Sequence, residues 1–381
     1  MITRRLWVAL SFTAALYLLG LGLGKQIYYF GAVLLSLVIL LALFTAVLLK
    51  ATLRSETFFR EKEVLRGEKV HMGVDISQRC PFIARTVTVR IIRGSRSDET
   101  EMSVRPFRTD SMQVNFPAEH VGMEPFGVES VIGGDLFGMF RVSCRPKEKW
   151  TVAVLPRPFD IEKPSFMVSD EGRAALKLSQ EDYTSPEDTR AYIPGDALKR
   201  VHWKLSARRG ELTVRRYETP APPDTLILMD NARLGAVEGD GDRVLRDLLC
   251  ETCAAVADLQ LKDASPVRVP MYGEAPGEFV ADDSSHILLL QEMLAAQPFD
   301  SDFPFERVLQ LELRRMRRTG AVIIVTTRLT PPIVEGIICM RRMGPSVRLY
   351  LASLKTEEDQ VRDMVSRLQN HMVEVCYVTP A

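Results

Sequence analysis

The chain has 381 residues, and its 49 Lys and Arg balance 49 Asp and Glu, so the formal net charge is zero. That balance excludes a whole-protein electrostatic footprint for nucleic acid, and the length predicts more than one domain at ~100–200 residues each. Six cysteines (Cys80, Cys144, Cys250, Cys253, Cys339 and Cys376) are spread too thinly for the disulfide framework of a small secreted protein.

Residues 6–23 carry no charge and are almost wholly apolar, and residues 27–49 repeat the pattern at greater length. Each run reaches the ~20 residues that a membrane-spanning helix needs. A signal peptide would be followed by polar mature sequence, whereas here a second apolar run follows at once. The pair therefore reads as a transmembrane hairpin joined near Gly24-Lys25-Gln26. Trp7, Tyr28 and Tyr29 fall at span ends, where amphipathic rings favour the interface. Arg4 and Arg5 precede the first span, Lys50, Arg54, Arg60 and Lys62 follow the second, and the loop holds only Lys25. The positive-inside rule then places both termini and the body after Lys50 in the cytoplasm, tethered to the cell membrane, where cysteines stay free.

From residue 58 to 155 the pattern changes to short alternating runs. Strands are predicted at 70–76, 86–92, 100–104, 111–116, 128–132 and 151–155, punctuated by Gly67, Arg93-Gly94-Ser95, Pro117 and Gly133-Gly134. Short strands at this spacing predict a β-sandwich, immunoglobulin-like in kind. Nothing in it suggests chemistry, so it reads as a spacer or binding module. Pro156-Arg157-Pro158 opens a linker, and residues 162–188 are acid-rich without a clear period.

Residues 190–218 then read as turn, helix, turn and strand. Asp196 is a candidate N-cap, residues 197–209 a helix, Gly210 its left-handed stop, and residues 212–217 a strand. At 100° per residue, Leu198, Val201, His202 and Leu205 share one face, and Trp203 lies opposite, beside Lys199, Arg200 and Ala207. Trp203 is either a partner contact, of the aromatic kind that anchors interfaces, or buried beneath another part of the chain. His202 reads as a packed, hydrogen-bonded side chain. Lys199, Arg200, Lys204, Arg208, Arg209, Arg215 and Arg216 outnumber the acids of this run. They suit anionic lipid, nucleic acid or an acidic partner, or are neutralised by Glu181, Asp182, Glu187 and Asp188.

Beyond Pro220-Ala221-Pro222-Pro223, strands at 225–230, 266–272, 321–326, 347–351 and 373–378 alternate with helices at 242–261, 284–296, 305–318, 331–343 and 356–370. The alternation predicts a mostly parallel sheet covered on both faces, with ligands gathering at the carboxyl ends of its strands. Cys250 and Cys253 share one face of the first helix and read as core. The chain has no G-x-x-x-x-G-K-[ST], no H-E-x-x-H and no G-x-S-x-G, so no enzymatic machinery is expected.

The run Arg190, Tyr192, Gly195, Asp196, Val201, His202, Trp203, Lys204, Ser206, Ala207, Arg208, Gly210, Leu212 resembles the signature of the bacterial domain of unknown function fifty-eight. Asp135-Leu136-Phe137-Gly138-Met139-Phe140 is similar to that family's D-P-F-G-L-F element, with Leu136 where proline is usual. The layout of two membrane helices, a β-rich region and the defining domain also matches. The resemblance implies a partner, a MoxR-type AAA+ ATPase, and a von Willebrand factor A-like fold for the last domain. Asp230 resembles the aspartate of that fold's D-x-S-x-S metal motif, but Ala232 and Leu234 replace both hydroxyls and Arg233 adds a positive charge. The metal site is therefore expected to be degenerate, with no Mg²⁺ or other cofactor.

The expected architecture is a multi-domain α+β chain: hairpin 1–54, sandwich 55–156, linker and signature 157–223, and α/β domain 224–381. The expected function is that of a membrane-tethered, non-enzymatic adaptor or assembly factor for that ATPase, without nucleic acid or a small-molecule substrate. Its interaction and signature residues are Arg190, Tyr192, Gly195, Asp196, Arg200, His202, Trp203, Lys204, Ser206 and Arg208. The alternative is a metal-dependent binder or hydrolase-like enzyme using Asp230, Asp196 and His202; a third reading is anionic-lipid binding through the basic helix.

Overall fold

The computed structural model describes residues 2–79, 86–94, 96–146, 150–161, 186–194, 198, 201–217, 223–233, 241–273, 276–299, 303–316, 319–353 and 359–379. It divides into two compact units, Met1–Arg157 with Gln291–Gln297, and Pro158–Leu290 with Pro298–Ala381.

The first unit opens with α1 (Arg4–Leu23) and α2 (Gln26–Thr52), both long and apolar enough to cross a membrane. The turn between them stops α1 with Gly24 in the left-handed region, φ 60°. The helices meet closely at Gly20, where an added Cβ would sit 3.1 Å from the Tyr29 ring. Their outer faces stay uncovered: Phe12, Leu18, Leu37, Leu40 and Phe44 are all exposed.

Nine strands follow among the described residues: β1 (Arg54–Phe59), β2 (Glu63–Leu65), β3 (Lys69–Ser77), β4 (Thr86–Arg93), β5 (Arg96–Ser103), β6 (Thr109–Pro117), β7 (Gly122–Gly134), β8 (Arg141–Cys144) and β9 (Trp150–Leu155). They form one sheet in the order β1-β3-β6 and a second in the order β2-β9-β7-β4-β5, with β8 paired to β7. Inward residues of both sheets share a single core, with Val70, Val74 and Ile76 from one and Val87, Val89, Val131 and Val154 from the other, so the module is a sandwich. The period of two put those residues on the inner faces.

The sandwich core does not end at the sheets. Ala46, Leu49 and Leu53 of the α2 end belong to it, and Leu49 lies against Gly133, where an added Cβ would meet its Cδ2 at 3.1 Å. The hairpin is clamped a second time by the turn between β7 and β8. There the Asp135 carboxylate accepts the backbone N–H groups of Phe137 (3.1 Å) and Phe140 (2.6 Å), and Gly138 takes φ 68°. Thr3 donates its N–H to the Met139 carbonyl at 3.0 Å, its hydroxyl lies 2.8 and 2.7 Å from the Gly138 and Met139 carbonyls, and Ile2 bridges Phe140. Met139 packs with Leu6 and Ala42. The D-L-F-G-M-F element is thus the socket in which the start of α1 is seated.

The second unit begins, among the described residues, with β10 (Pro186–Ala191), α3 (Trp203–Arg209) and β11 (Thr213–Tyr217), with β10 and β11 antiparallel. Then come β12 (Asp224–Met229), α4 (Gly241–Lys262), β13 (Val267–Met271), β14 (Gly277–Ala281), α5 (Ile287–Ala296, of which the residues from Gln291 on belong to the first unit), α6 (Phe305–Arg315), β15 (Thr319–Thr326), α7 (Pro331–Arg342), β16 (Ser346–Ala352), α8 (Asp359–Asn370) and β17 (Glu374–Val378). Six strands form one sheet in the order β14-β13-β12-β15-β16-β17. Every pairing is parallel except that of β14 with β13. Counted along the chain, the order is third, second, first, fourth, fifth, sixth. Leu226, Leu228, Val322, Ile324 and Leu349 face a core shared with α6, α7 and α8. Ile227 and Ile323 point the other way and are equally buried, on the side where α4 crosses the sheet. Cys250 and Cys253 are fully buried in α4. Burial raises both thiols, that of Cys253 to about 12, so they pack as neutral apolar groups.

Candidate functional site

The signature folds as a hairpin with a short helix set into it. The N–H of His202 donates to the Thr213 carbonyl at 2.8 Å, and Val201, buried, bridges Val214. His202 Nδ1 then accepts the Leu205 N–H at 3.2 Å, so this histidine caps α3. That corrects one expectation: the helix starts at Trp203 rather than 197, with His202 as its N-cap; Asp196, the cap expected from the sequence, lies outside the described residues. The reason is local. Residues 201 and 202 pair with β11 as extended chain, and a helix cannot begin until that pairing ends. Leu198, expected on the inner face, is 61% exposed. Ser206 is buried, and its hydroxyl accepts the Thr213 N–H at 2.8 Å, which ties α3 to β11. Gly210 closes the helix at φ 72° with its N–H on the Ser206 carbonyl, and Arg208 and Arg209 complement the dipole in its last turn.

The predicted interaction residues therefore separate. His202 and Ser206 face inward. The Tyr192 N–H bonds the Leu212 carbonyl at 2.8 Å, and the Arg190 backbone pairs with Val214. Trp203 is 63% exposed, and Lys204 and Arg208 of the same helix are exposed too. Gly195, Asp196 and Arg200 lie outside the described residues.

The second site is at the carboxyl end of the sheet. Its first and fourth strands, β12 and β15, are neighbours, so strand order reverses between them, and such a switch point opens a crevice where ligands of doubly wound folds bind. Asp230, fully buried, stands just beyond β12. Its carboxylate accepts the Thr326 hydroxyl at 2.9 Å, the Arg328 guanidinium at 3.1 and 3.3 Å, and the Ala232 N–H at 3.2 Å. A guanidinium, a hydroxyl and a backbone N–H are donors, so both oxygens face positive partners already supplied by the chain. Among the described residues no group of three or more His, Cys, Asp or Glu converges as metal ligands.

A third cluster went unread in the sequence. Glu312, fully buried on α6, accepts from Arg268 Nη1 (2.8 Å), Arg315 Nη1 (2.8 Å) and the Tyr272 hydroxyl. Arg268 also reaches Glu278 at 2.9 Å and Asp224 at 3.2 Å, and Arg315 closes the ring onto Glu278 at 3.1 Å. Burial pushes the Glu278 carboxyl up, but the Arg268 hydrogen bond and the Arg315 charge outweigh it and hold it below the usual range. Burial and the bond to Glu312 raise the Tyr272 phenol. This ring knits β12, β13, β14 and α6 together. Asn231 joins it to the switch point by donating its amide to the Tyr272 carbonyl. Spacing carried no signal for it, because its members lie up to 91 residues apart along the chain (Asp224 to Arg315).

Residues 188–344, from β10 through α7, match the family model described as Protein of unknown function DUF58. This stretch of the chain thus resembles the DUF58 family. It is 23% identical over 278 residues to the uncharacterized protein YeaD of Bacillus subtilis (strain 168), a match that covers 71% of this chain and 65% of YeaD, just under two thirds of that protein. Among solved structures, the CARDB domain of a Pyrococcus furiosus protein is 11% identical with a TM-score of 0.21, over 27% of this chain and 94% of that one. The sporulation control protein Spo0M of Bacillus subtilis is 12% identical with a TM-score of 0.18, over 27% of this chain and 49% of that one. Likeness at these scores carries no argument about this protein's function.

Proposed function

We propose that this protein is a membrane-tethered, non-enzymatic adaptor that offers its signature helix to a protein partner, a MoxR-type AAA+ ATPase of the kind the family resemblance implies. The observation that carries the reading is Trp203. Its indole is 63% exposed on a helix whose other face is fixed by His202 and Ser206. Lys204 and Arg208, one turn apart on the same short helix, are exposed and without an ion pair among the described residues. An aromatic anchor within a basic rim suits an acidic protein surface.

The rest of the chain fits a tether and a platform. Exposed leucines and phenylalanines along α1 and α2 form a patch that an aqueous protein does not leave open, so the hairpin reads as two spans, with both termini cytoplasmic by the balance of Arg4, Arg5, Lys50 and Arg54 against Lys25. The first-unit sandwich reads as immunoglobulin-like. In the second unit, the strand order, the single antiparallel edge strand and Asp230 at the switch point support a von Willebrand factor A-like reading. Arg328 there takes the role of the cation, so the domain serves as scaffold rather than metal site.

The test is co-purification of the intact detergent-solubilised protein from its native cells, with and without ATP, beside Trp203→Ala/Arg208→Ala. An AAA+ ATPase retained by the wild type and lost by the variant, with unfolding temperature unchanged, is the expected result. Full retention by the variant, or no ATPase with either, sinks the reading.

A further inference from the structure

The clamp around the hairpin sets the height of the sandwich against the bilayer. Helix α1 has 20 residues, about 30 Å at 1.5 Å per residue, which matches the hydrocarbon thickness. Helix α2 has 27 residues, about 40 Å, and exceeds it by roughly six residues. The surplus is accounted for: Ala46, Leu49 and Leu53 lie in the sandwich core rather than in lipid. The membrane surface is thereby fixed near the first turn of α1, where Arg4 and Arg5 are exposed and Trp7, 67% exposed, occupies the interfacial position that amphipathic rings prefer.

Two apolar tips open at that same end. The β7–β8 turn that seats Thr3 carries Leu136, 53% exposed. The β5–β6 turn carries Phe107, 66% exposed at φ 57°. Register places the second tip: Arg54, where α2 hands over to β1, pairs with Ser77, and Ser77 pairs with Thr109 at the start of β6. Lys50 and Arg54 are exposed at this root, and neither they nor Arg4 and Arg5 form an ion pair among the described residues.

We infer that this end of the sandwich is a bilayer-binding surface, with Leu136 and Phe107 seated in the headgroup layer and Arg4, Arg5, Lys50 and Arg54 contacting anionic lipid phosphates. The surface is continuous with the two spans, and that continuity selects the bilayer as its occupant. The inference rests on reading the hairpin as membrane-spanning. An exposed leucine and phenylalanine within a basic collar have the composition of an interfacial anchor. The consequence is a body held at one height and tilt rather than swinging on a linker.

The experiment uses the full chain in liposomes of phosphatidylcholine with 30% phosphatidylglycerol, carrying photoreactive benzoylphenylalanine at position 136, 107 or 97. Ser97 is exposed on the opposite hairpin: β7 pairs with the end of β4 at Phe126, eight residues from Gly134, or about 26 Å along the strand. Lipid adducts at 136 and 107, at least about tenfold above 97 by mass spectrometry of the labelled peptides, are expected. Their yield should fall about threefold in phosphatidylcholine alone, as basic residues near the surface predict. Adducts at 136 and 107 no higher than at 97, in protein that resists alkaline extraction, overturn the inference while leaving the spans intact. Equal yields in the two lipid mixtures overturn the role of the four cations. Release by alkaline carbonate instead overturns the spanning reading itself, and this inference with it.

Discussion

Glu312→Gln removes the charge at the centre of the second unit's ionic ring while keeping its shape. In the wild type its carboxylate takes three donors and is wholly withdrawn from water. A charge-assisted bond contributes ~1.5–3 kcal/mol net when desolvated, but the three are not equal. The Arg315 side chain is half exposed and rehydrates, so its share is below ~1 kcal/mol. Arg268, at 13%, stays buried, yet retains Glu278 and Asp224. The amide still accepts from one donor, so the expected loss is about 2–3 kcal/mol, rising to about 3–5 for Glu312→Ala, which abandons the site altogether. For a unit of this size each kcal/mol moves the midpoint by ~2–4 °C, so Glu312→Gln should melt about 4–12 °C lower.

The assay is thermal proteolysis of the detergent-purified protein, read peptide by peptide, which reports each unit separately. Peptides of β12, β13 and α6 should shift and those of the sandwich should not. Glu278→Gln is the internal control: its side chain is 34% exposed, and the expected cost is about 0.5–1 kcal/mol. A Glu312→Gln shift below about 1 °C, or one no larger than that of Glu278→Gln, would refute the assignment of Glu312 as the buried hub.

Ser206→Ala leaves the buried Thr213 N–H without its acceptor, at an expected cost of about 1–3 kcal/mol; hydrogen exchange should speed up at Thr213 and along α3 while the six-stranded sheet is unaffected. Gly138→Ala forces a Cβ into the left-handed region at φ 68°, about 1–2 kcal/mol, and places it 2.6 Å from the Arg5 guanidinium; trypsin should then reach Arg4 and Arg5 sooner than in the wild type, and equal rates would contradict the socket. On acidification, the Glu278 carboxyl has a folded value held below its ordinary 4.5 once the arginines outweigh burial. Its stabilisation is therefore complete above pH ~4.5 and lost as pH falls through the lower folded value, so wild type should lose stability there and Glu278→Gln should lose less of it.

What could be read from the sequence follows from how local its cause is. The two N-terminal helices are continuous apolar runs, and the parallel strands 225–230 and 321–326 are buried on both faces, so composition alone marks them. β10 reads Pro-Glu-Asp-Thr-Arg-Ala, with no alternation; it is a strand only because β11, across the inserted helix, pairs with it, and a local window sees a linker. β1 and β14 escaped notice for a similar reason, since Glu56, Phe58 and Val280 are exposed and blur the period. At the switch point, the aspartate and the missing hydroxyls were legible. Arg328 was not, because 98 positions separate it from Asp230, and only the fold shows that a guanidinium fills the place opposite the carboxylate. The sequence marks His202 as a packed side chain; its bond to the Leu205 N–H depends on the helix starting later than the pattern suggests.

The signature run carries two tasks on one short element. A helix of seven residues cannot stand alone in water, where nucleation outweighs what so few bonds return. Part of the run must therefore hold the rest in place: His202 caps, Ser206 ties the helix to β11, and Gly210 ends it. Subtracting those leaves Trp203, Lys204 and Arg208, none of which makes a hydrogen bond or ion pair through its side chain among the described residues. Folding does not require an indole at 63% exposure there, since a small polar residue would serve the same helix without presenting an apolar ring to water. What remains after the structural residues are accounted for is an aromatic, basic surface, and the proposed partner-binding role rests on it.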